Sequence, residues 1–291
     1  LGPMFTEGVS ASLAAKGREV AGWSDGMGHT DPANMPKEVQ SDIWSDLFTS
    51  APAEAHRHAN RGWKTVISVP NVLYLDIPYA PHPLERGYDW PSRGTDTFKL
   101  FSFMPENLPA NASVMKDIKA KGPRVEDKEP LQSGRAFAGT QAQLWSETVR
   151  SDALVDYMLF PRLLAFAERA WHRAEWEPAY RAGTAFSYGD NAVKLDEVRD
   201  GWREFSRKMP AHLAQLERAN ISYRLAPPGA RIAGGRLEAN SEFPGQTIEY
   251  RTGGGEWTRY SGPVPVTSAV QLRTRSFDGG RASRSVQVAP E

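Results

Sequence analysis

The stretch Thr65-Val66-Ile67-Ser68-Val69-Pro70-Asn71-Val72-Leu73-Tyr74-Leu75-Asp76 decides how the chain is read. Four of its first five residues are β-branched, the run is short and Pro70 bounds it, so Thr65–Val69 reads as a buried strand. Tyr74 and Asp76 fall just past its end. Working upstream, Ala53–Arg61 (AEAHRHANR) reads as a polar helix closed by Gly62 and carrying His56 and His58. Val39–Trp44 and Glu19–Trp23 read as two further short strands, and Thr6–Lys16 as a helix with Thr6 as N-cap and Gly17 as its stop. Downstream, Pro78–Gly134 is a long irregular segment rich in Pro, Gly and charge, of the kind that is functional or disordered inside a domain. Its portion Lys116–Glu129 alternates in sign and reads as a solvated loop. Ala136–Trp145 resumes as a strand, and Ser151 caps a helical stretch to about Trp171 that Pro161 should kink or divide.

Strands separated by helices or long crossovers imply a parallel sheet. Half of a (β/α)8 barrel and an open sheet both satisfy that order. Trp23, Trp44, Tyr74 with Asp76, and Trp145 with Glu147 each sit at or just past a strand's C-terminal end. A barrel carries its active site at that end, which favours the barrel. A Rossmann-like open sheet needs a glycine-rich first turn, and the sequence has none.

Leu195–Asn220 reads as a second amphipathic helix, with Val198, Trp202, Phe205, Met209, Leu213 and Leu216 on one stripe. After it, short alternating runs (TIEYR, VQLRTRSF, SRSVQV) are separated by turn signals, which predicts a small all-β sandwich over 221–291 behind an α/β domain over 1–220.

The 291 residues fit the two-domain estimate, and 35 basic against 35 acidic side chains give no electrostatic case for nucleic acid or a membrane surface. With no cysteine, disulfides and thiolate metal sites are excluded, and no apolar run reaches membrane-spanning length. The six His show no zinc-type spacing. Asn111-Ala112-Ser113 fits a glycosylation sequon, and Gly253–Gly255 reads as a hairpin turn. The chain opens Leu1-Gly2-Pro3-Met4, without an initiating methionine or a signal peptide, and reads either as processed or as a piece of something longer.

Six blocks occur in order: AGWSDG (21–26), YLDIPY (74–79), ERGYDW (85–90), FSFMPEN (101–107), AQLWSE (142–147) and FPRLLAFAERAWH (160–172). With YRLAPPGARIAGGRLEAN (223–240), they resemble the C-terminal half of bacterial chitobiase-type β-N-acetylhexosaminidases of glycoside hydrolase family 20. The resemblance implies strands five to eight of a TIM barrel followed by an immunoglobulin-like domain. It implies hydrolysis of terminal β-linked N-acetylglucosamine from chito-oligosaccharides, without metal or cofactor, in a secreted or periplasmic protein. Catalysis in the family is substrate-assisted, the 2-acetamido oxygen acting as nucleophile.

By that resemblance Tyr74 orients the acetamido group, and Asp76 and Glu147 hold O4 and O6 of the terminal sugar. Trp23, Trp44 and Trp145 wall its pocket, and Trp90 stacks on the next sugar. Trp171, Trp202 and Trp257 are expected in the core, and Trp63 and Trp176 carry no assignment. The family's general acid Glu and helper Asp are adjacent, and the sequence's one Asp-Glu pair, Asp196-Glu197, opens a helix far from these blocks. The expectation is therefore a barrel portion that needs its N-terminal half as partner, inactive alone. The alternative is a non-catalytic carbohydrate-binding or scaffold remnant.

Overall fold

The computed structural model describes residues 1–290. The chain divides into two compact units, Leu1–Val149 with Arg162–Val198, and Arg150–Pro161 with Arg199–Glu291.

The first unit is built on a parallel sheet. Helix α1 (Gly2–Ala15) precedes β1 (Val20–Trp23), and a short helical turn α2 (Ser24–Met27) follows it. Next come β2 (Val39–Ile43), α3 (Ala51–Asn60) and β3 (Lys64–Ile67). Then a turn of helix α4 (Pro70–Leu73) and helix α5 (Thr97–Phe101) lead to β4 (Arg124–Glu126) and β5 (Gly139–Thr140). The order β1-β2-β3-β5 is sequential and all its pairings are parallel. Each strand beside its successor, with no reversal of order, is the arrangement of a barrel wall rather than of a doubly wound sheet. Ile43, Leu47, Ile67, Leu73, Leu75, Ile77 and Leu100 are fully buried and form the core beneath the strand ends.

Several expectations change. α1 begins at Gly2 with proline in its first turn, so Thr6 lies inside the helix, where its hydroxyl donates back to the Gly2 carbonyl at 3.2 Å. The fourth strand is far shorter than Ala136–Trp145. After Gln141 donates to the Ile67 carbonyl at 2.9 Å, the facing chain turns through α4, and pairing resumes at a single Tyr74–Gln143 bridge. Pro70 lacks the N–H a continuous ladder would need.

The segment Pro78–Gly134 is ordered rather than loose. It carries α5 and a 3-10 turn at Leu108–Ser113, and it buries Leu100, Phe101 and Phe103. Asn111 is fully buried and bonded to the Met104 amide and carbonyl, so the sequon is sealed inside. Lys116–Glu129 is not simply solvated either. β4 pairs with β6 (Ala185–Ser187), and Asp127 is buried, where it accepts from the Gly183 amide at 2.9 Å and bonds His56 Nδ1 at 3.2 Å. His56 and His58 accordingly lie on the buried face of this polar helix α3. The first unit also holds α7 (Arg162–Trp171).

The second unit contains α6 (Asp152–Leu159), capped by Ser151, whose hydroxyl accepts from the Leu154 amide at 3.3 Å. Of the two outcomes expected at Pro161, a kink or a second helix, the chain takes the second: α6 ends before it and α7 begins after it. Helix α8 (Leu195–Arg218) joins this unit from Arg199 onward. Seven short strands follow: β7 (Gly229–Ala233), β8 (Arg236–Asn240), β9 (Ile248–Thr252), β10 (Thr258–Arg259), β11 (Val264–Pro265), β12 (Val270–Thr274) and β13 (Val286–Val288). They form two antiparallel sheets, β10-β9-β12-β13 and β11-β8-β7. Ile232 and Leu237 from one sheet and Ile248, Val270 and Leu272 from the other share one core. Inward-facing residues alternating with polar ones make that core a sandwich.

The tryptophans sort differently from expectation. Trp171 is 91% exposed and is not a core residue. Trp257 is half-buried on the outside of β9 and β12, beneath the Arg251 and Arg273 guanidinium groups at 4.4 and 4.1 Å from its ring centre. Trp202 packs on Phe205 and Phe243. Trp63 and Trp176, which had no assignment, are both buried.

Candidate functional site

The strand ends place the site. β1 ends at Trp23, Trp44 is the first residue after β2, and Tyr74 caps α4. Tyr74 bridges to Gln143, and that register sets Trp145 and Glu147 just beyond the same edge. Trp23, Trp44, Tyr74, Asp76, Trp90, Trp145 and Glu147 line one cavity of about 330 Å³, together with Asp25 and Tyr88. All seven residues singled out from the sequence therefore meet in one place.

Asp25 and Tyr88 were not anticipated. Each sits two residues from a tryptophan that was, inside AGWSDG and ERGYDW, and a spacing of two at a loop tip was the available signal. Asp25 accepts from the Trp44 indole at 3.1 Å, which fixes that ring's orientation.

The aromatic walls contact one another. Trp145 lies 5.8 Å from both Trp23 and Tyr74 between ring centres, and Trp90 lies 6.1 Å from Tyr74 and 6.4 Å from Trp44. Three of these four pairs meet edge to face, an arrangement the ring quadrupole favours. Indole faces pack well on the C–H faces of flat apolar groups, and a ring held by its neighbours loses little entropy on doing so.

Two polar groups stand on the floor. Burial pushes the Tyr74 phenol up to about 12, against a hydrogen bond from the Trp145 side chain that lowers it. The phenol is thus a neutral donor throughout the physiological range. Asp76 is buried, and that burial raises its carboxyl above the ordinary range. Hydrogen bonds from backbone N–H groups of Asp76 and Trp145 oppose the rise, Glu147 adds to it, and Arg162 opposes it. Asp76 Oδ1 is buried with no hydrogen-bond partner among the described residues. An orphaned acceptor of this kind calls for a donor from a ligand or water. Glu147 is exposed at the rim.

The Trp90 loop is fixed from below. Asn71 donates to the Pro91 carbonyl at 3.0 Å, and the partly buried Lys99 donates to Ser92 Oγ at 2.6 Å and to the Gly94 carbonyl at 3.2 Å. Burial lowers Lys99 to about 8. Asp196 and Glu197 lie in the first turn of α8 and are not among the cavity's lining residues. No group of His, Asp and Glu suited to a metal ion occurs among the described residues, and no helix among them is long and apolar enough to cross a membrane.

A parallel barrel-type sheet with an aromatic, carboxylate-bearing cavity at its C-terminal ends defines a partial (β/α)-barrel domain, here followed by a β domain. The chain belongs to glycosyl hydrolase family 20: the model of that family's catalytic domain matches residues 1–174, and that of the chitobiase/beta-hexosaminidase C-terminal domain matches residues 212–285. The chain is 37% identical to the N,N'-diacetylchitobiase of Vibrio harveyi over 290 residues, covering 98% of this chain and 32% of that protein. It is 47% identical to the beta-hexosaminidase B of Pseudoalteromonas piscicida over 205 residues, 69% of this chain and 26% of that one. Among solved structures, the Streptomyces plicatus N-acetyl-beta-hexosaminidase in complex with Thio-NAglucal superposes with a TM-score of 0.51 at 22% identity, over 77% of this chain and 35% of that one. The chain thus spans about a third or less of the length of the curated relatives it matches.

Proposed function

We propose that this chain forms the sugar-holding wall of an exo-acting β-N-acetylhexosaminidase that removes terminal N-acetylglucosamine from chitobiose and longer chito-oligosaccharides. The observation that carries the reading is the orphaned, buried Asp76 Oδ1 in a cavity otherwise walled by aromatic rings. An uncharged ligand rich in hydroxyls, with apolar C–H faces, matches both halves of that lining. The names of the Vibrio and Pseudoalteromonas relatives point the same way.

The chain's own residues supply binding and positioning. Tyr74 donates its phenol hydrogen to the acetamido carbonyl oxygen, which aims that oxygen at the anomeric carbon and stabilises charge as the oxazolinium ring closes. Asp76 and Glu147 accept from O4 and O6, so only a chain end fits. Trp23, Trp44 and Trp145 enclose the reacting sugar, and Trp90 stacks on the next one.

The acid step needs a Glu beside a helper Asp, and no such pair lines this cavity. We propose that further polypeptide, the N-terminal half of the same barrel, supplies it. The exposed surface supports this: β1 pairs on one side only, and Leu1, Phe5, Val9 and Leu13 form an uncovered apolar stripe along α1. A barrel closes such edges. In this reading β1, β2, β3 and the β5 segment are strands five to eight. Residues 1–220 belong to the barrel and 221–291 form an immunoglobulin-like domain, although compactness groups most of α8 with the latter. The protein works in the periplasm or outside the cell.

The test is hydrolysis of p-nitrophenyl N-acetyl-β-glucosaminide. The protein encoded in full turns it over, and the isolated 291 residues do not. Turnover by the isolated residues overturns the absent-acid reading, and an upstream sequence without an Asp-Glu pair leaves a carbohydrate-binding remnant.

A further inference from the structure

Arg162 is among the largest fully buried side chains of the described residues, and it is not among those that line the cavity. From the first position of α7 its Nη1 donates to the Ile77 carbonyl at 2.7 Å and to the Thr95 carbonyl at 2.9 Å, and its Nη2 donates to the Leu75 carbonyl. Leu75 and Ile77 are the two neighbours of Asp76. The guanidinium also lies over the Tyr79 ring, 4.0 Å from its centre. Burying a guanidinium is costly unless its donors are satisfied, and here backbone carbonyls of the cavity floor satisfy them.

We propose that Arg162 is a positioning residue for Asp76: by gripping the carbonyls on both sides of it, the planar fork sets where the Asp76 carboxylate stands in the sugar cavity. The inference rests on the reading of Asp76 as the acceptor of a sugar hydroxyl. A planar, rigid donor set can hold three carbonyls in one fixed geometry, whereas an ammonium on a flexible stem cannot. The same cation acts on the carboxylate's charge. The groups facing Asp76 are Glu147 and Tyr74 from the site and Arg162 from behind. Burial and Glu147 disfavour its ionised form, and Arg162 favours it. Arg162 therefore places the acceptor and adds to the groups that favour its ionised form, of which the backbone N–H groups of Asp76 and Trp145 weigh more.

The two contributions separate in variants of the protein encoded in full, assayed on chitobiose across pH. Arg162→Met removes fork and charge. It should lower kcat/KM by roughly tenfold or more and move the acid limb of its pH profile upward by about half a unit or more, since a stabilising cation has gone. Arg162→Lys keeps a charge and loses the fork. It should raise KM while leaving the acid limb within about 0.3 units of the parent. Asp76→Asn serves as the reference background. There, Arg162→Met should cost several-fold less than in the parent, because the group it acts through is already disabled. An Arg162→Met effect of the same size in both backgrounds, with an unmoved acid limb, overturns the proposal and leaves Arg162 a packing residue. Unchanged kcat/KM in Asp76→Asn alone overturns the reading of Asp76 itself, and the inference with it. If Arg162→Met does not fold, Arg162→Lys decides: parental KM and kcat overturn the proposal, and a raised KM with a parental acid limb supports it.

Discussion

Gly87 lies against the carbonyl of Asp76 so closely that a β-carbon on it would stand 2.1 Å from the Asp76 oxygen. The next residue, Tyr88, donates its amide to that same oxygen at 3.2 Å. Gly87 has φ of 125°, in the left-handed region that favours glycine. The obstacle is backbone, which cannot rotate aside. Gly87→Ala should therefore displace the loop that carries Tyr88 and Trp90, or the Asp76 carbonyl, and cost about 1–3 kcal/mol in folding stability. Chemical denaturation of the protein encoded in full reads the stability loss, and the KM for chitobiose, expected to rise, reads the displaced loop. A variant with parental KM and stability would show that the contact is not a constraint.

In the proposed reading Tyr74 meets the acetamido oxygen, and burial raises its phenol to about 12. Tyr74→Phe keeps the ring contacts with Trp90 and Trp145 and removes the hydroxyl, both as donor and as acceptor of the Trp145 side-chain hydrogen bond. Loss of one donor to a developing charge typically costs about 10² in kcat. The expected outcome in the protein encoded in full is a fall of that order in kcat with a smaller change in KM. Steady-state kinetics on an aryl N-acetylglucosaminide measures both, and an unchanged kcat removes Tyr74 from the chemistry.

The strands and the site were legible in the sequence for one physical reason. Short runs of apolar and β-branched residues mark buried backbone, and Trp23 and Trp44 at the ends of β1 and β2 mark the strands' C-terminal ends, whereas β3 ends at Ile67 and reaches Tyr74 only after α4. The fourth strand was overread, because Ala136–Trp145 has apolar residues at both ends while its partner detours through α4 after Pro70. Arg162 was invisible for the opposite reason. It stands in a helical pattern where an arginine reads as a surface residue, and the three carbonyls it binds lie more than 65 residues away in sequence. Asp127 was hidden likewise, since its partners His56 and Gly183 come from distant segments. Periodicity reports which face is buried, but it does not report which polar groups meet there. The exposed Trp171 marks the converse limit, an apolar stripe that runs one turn past its core.

Trp90 is 53% exposed at the mouth of the cavity, and its loop is anchored by Asn71 and Lys99 rather than by its own burial. An exposed ring held from below is suited to stacking on a second sugar. Trp90→Ala should raise the KM for chitobiose by about tenfold, in line with about 1–1.5 kcal/mol for one aromatic contact. An aryl N-acetylglucosaminide, which lacks that second sugar, should be less affected. Comparing the two substrates on one preparation measures the difference. Equal effects would place Trp90 on the reacting sugar instead.

Glu177 gives a pH-dependent prediction away from the site. It is buried in the first unit, where its Oε1 accepts the amides of Glu106 at 2.9 Å and Asn107 at 3.1 Å, while Oε2 has no partner among the described residues. Burial raises its carboxyl to about 7 from the usual 4.5, with Glu106 adding to the rise and Arg173 opposing it. Between those two values the folded chain keeps a proton that the unfolded chain has released. Unfolding then releases a proton, so this group makes stability fall as pH rises from 4.5 towards 7. Above about 7 the carboxyl is charged in both states and the cost is constant. Glu177→Gln keeps an acceptor for both amides and cannot ionise. Its stability relative to the parent should therefore improve by about 2 kcal/mol on going from pH 5 to pH 8. Urea denaturation at the two pH values reads the change directly, and any fixed cost of the new amide cancels in the comparison. A difference between variant and parent that is the same at both pH values would mean that Glu177 titrates alike in the folded and unfolded chain.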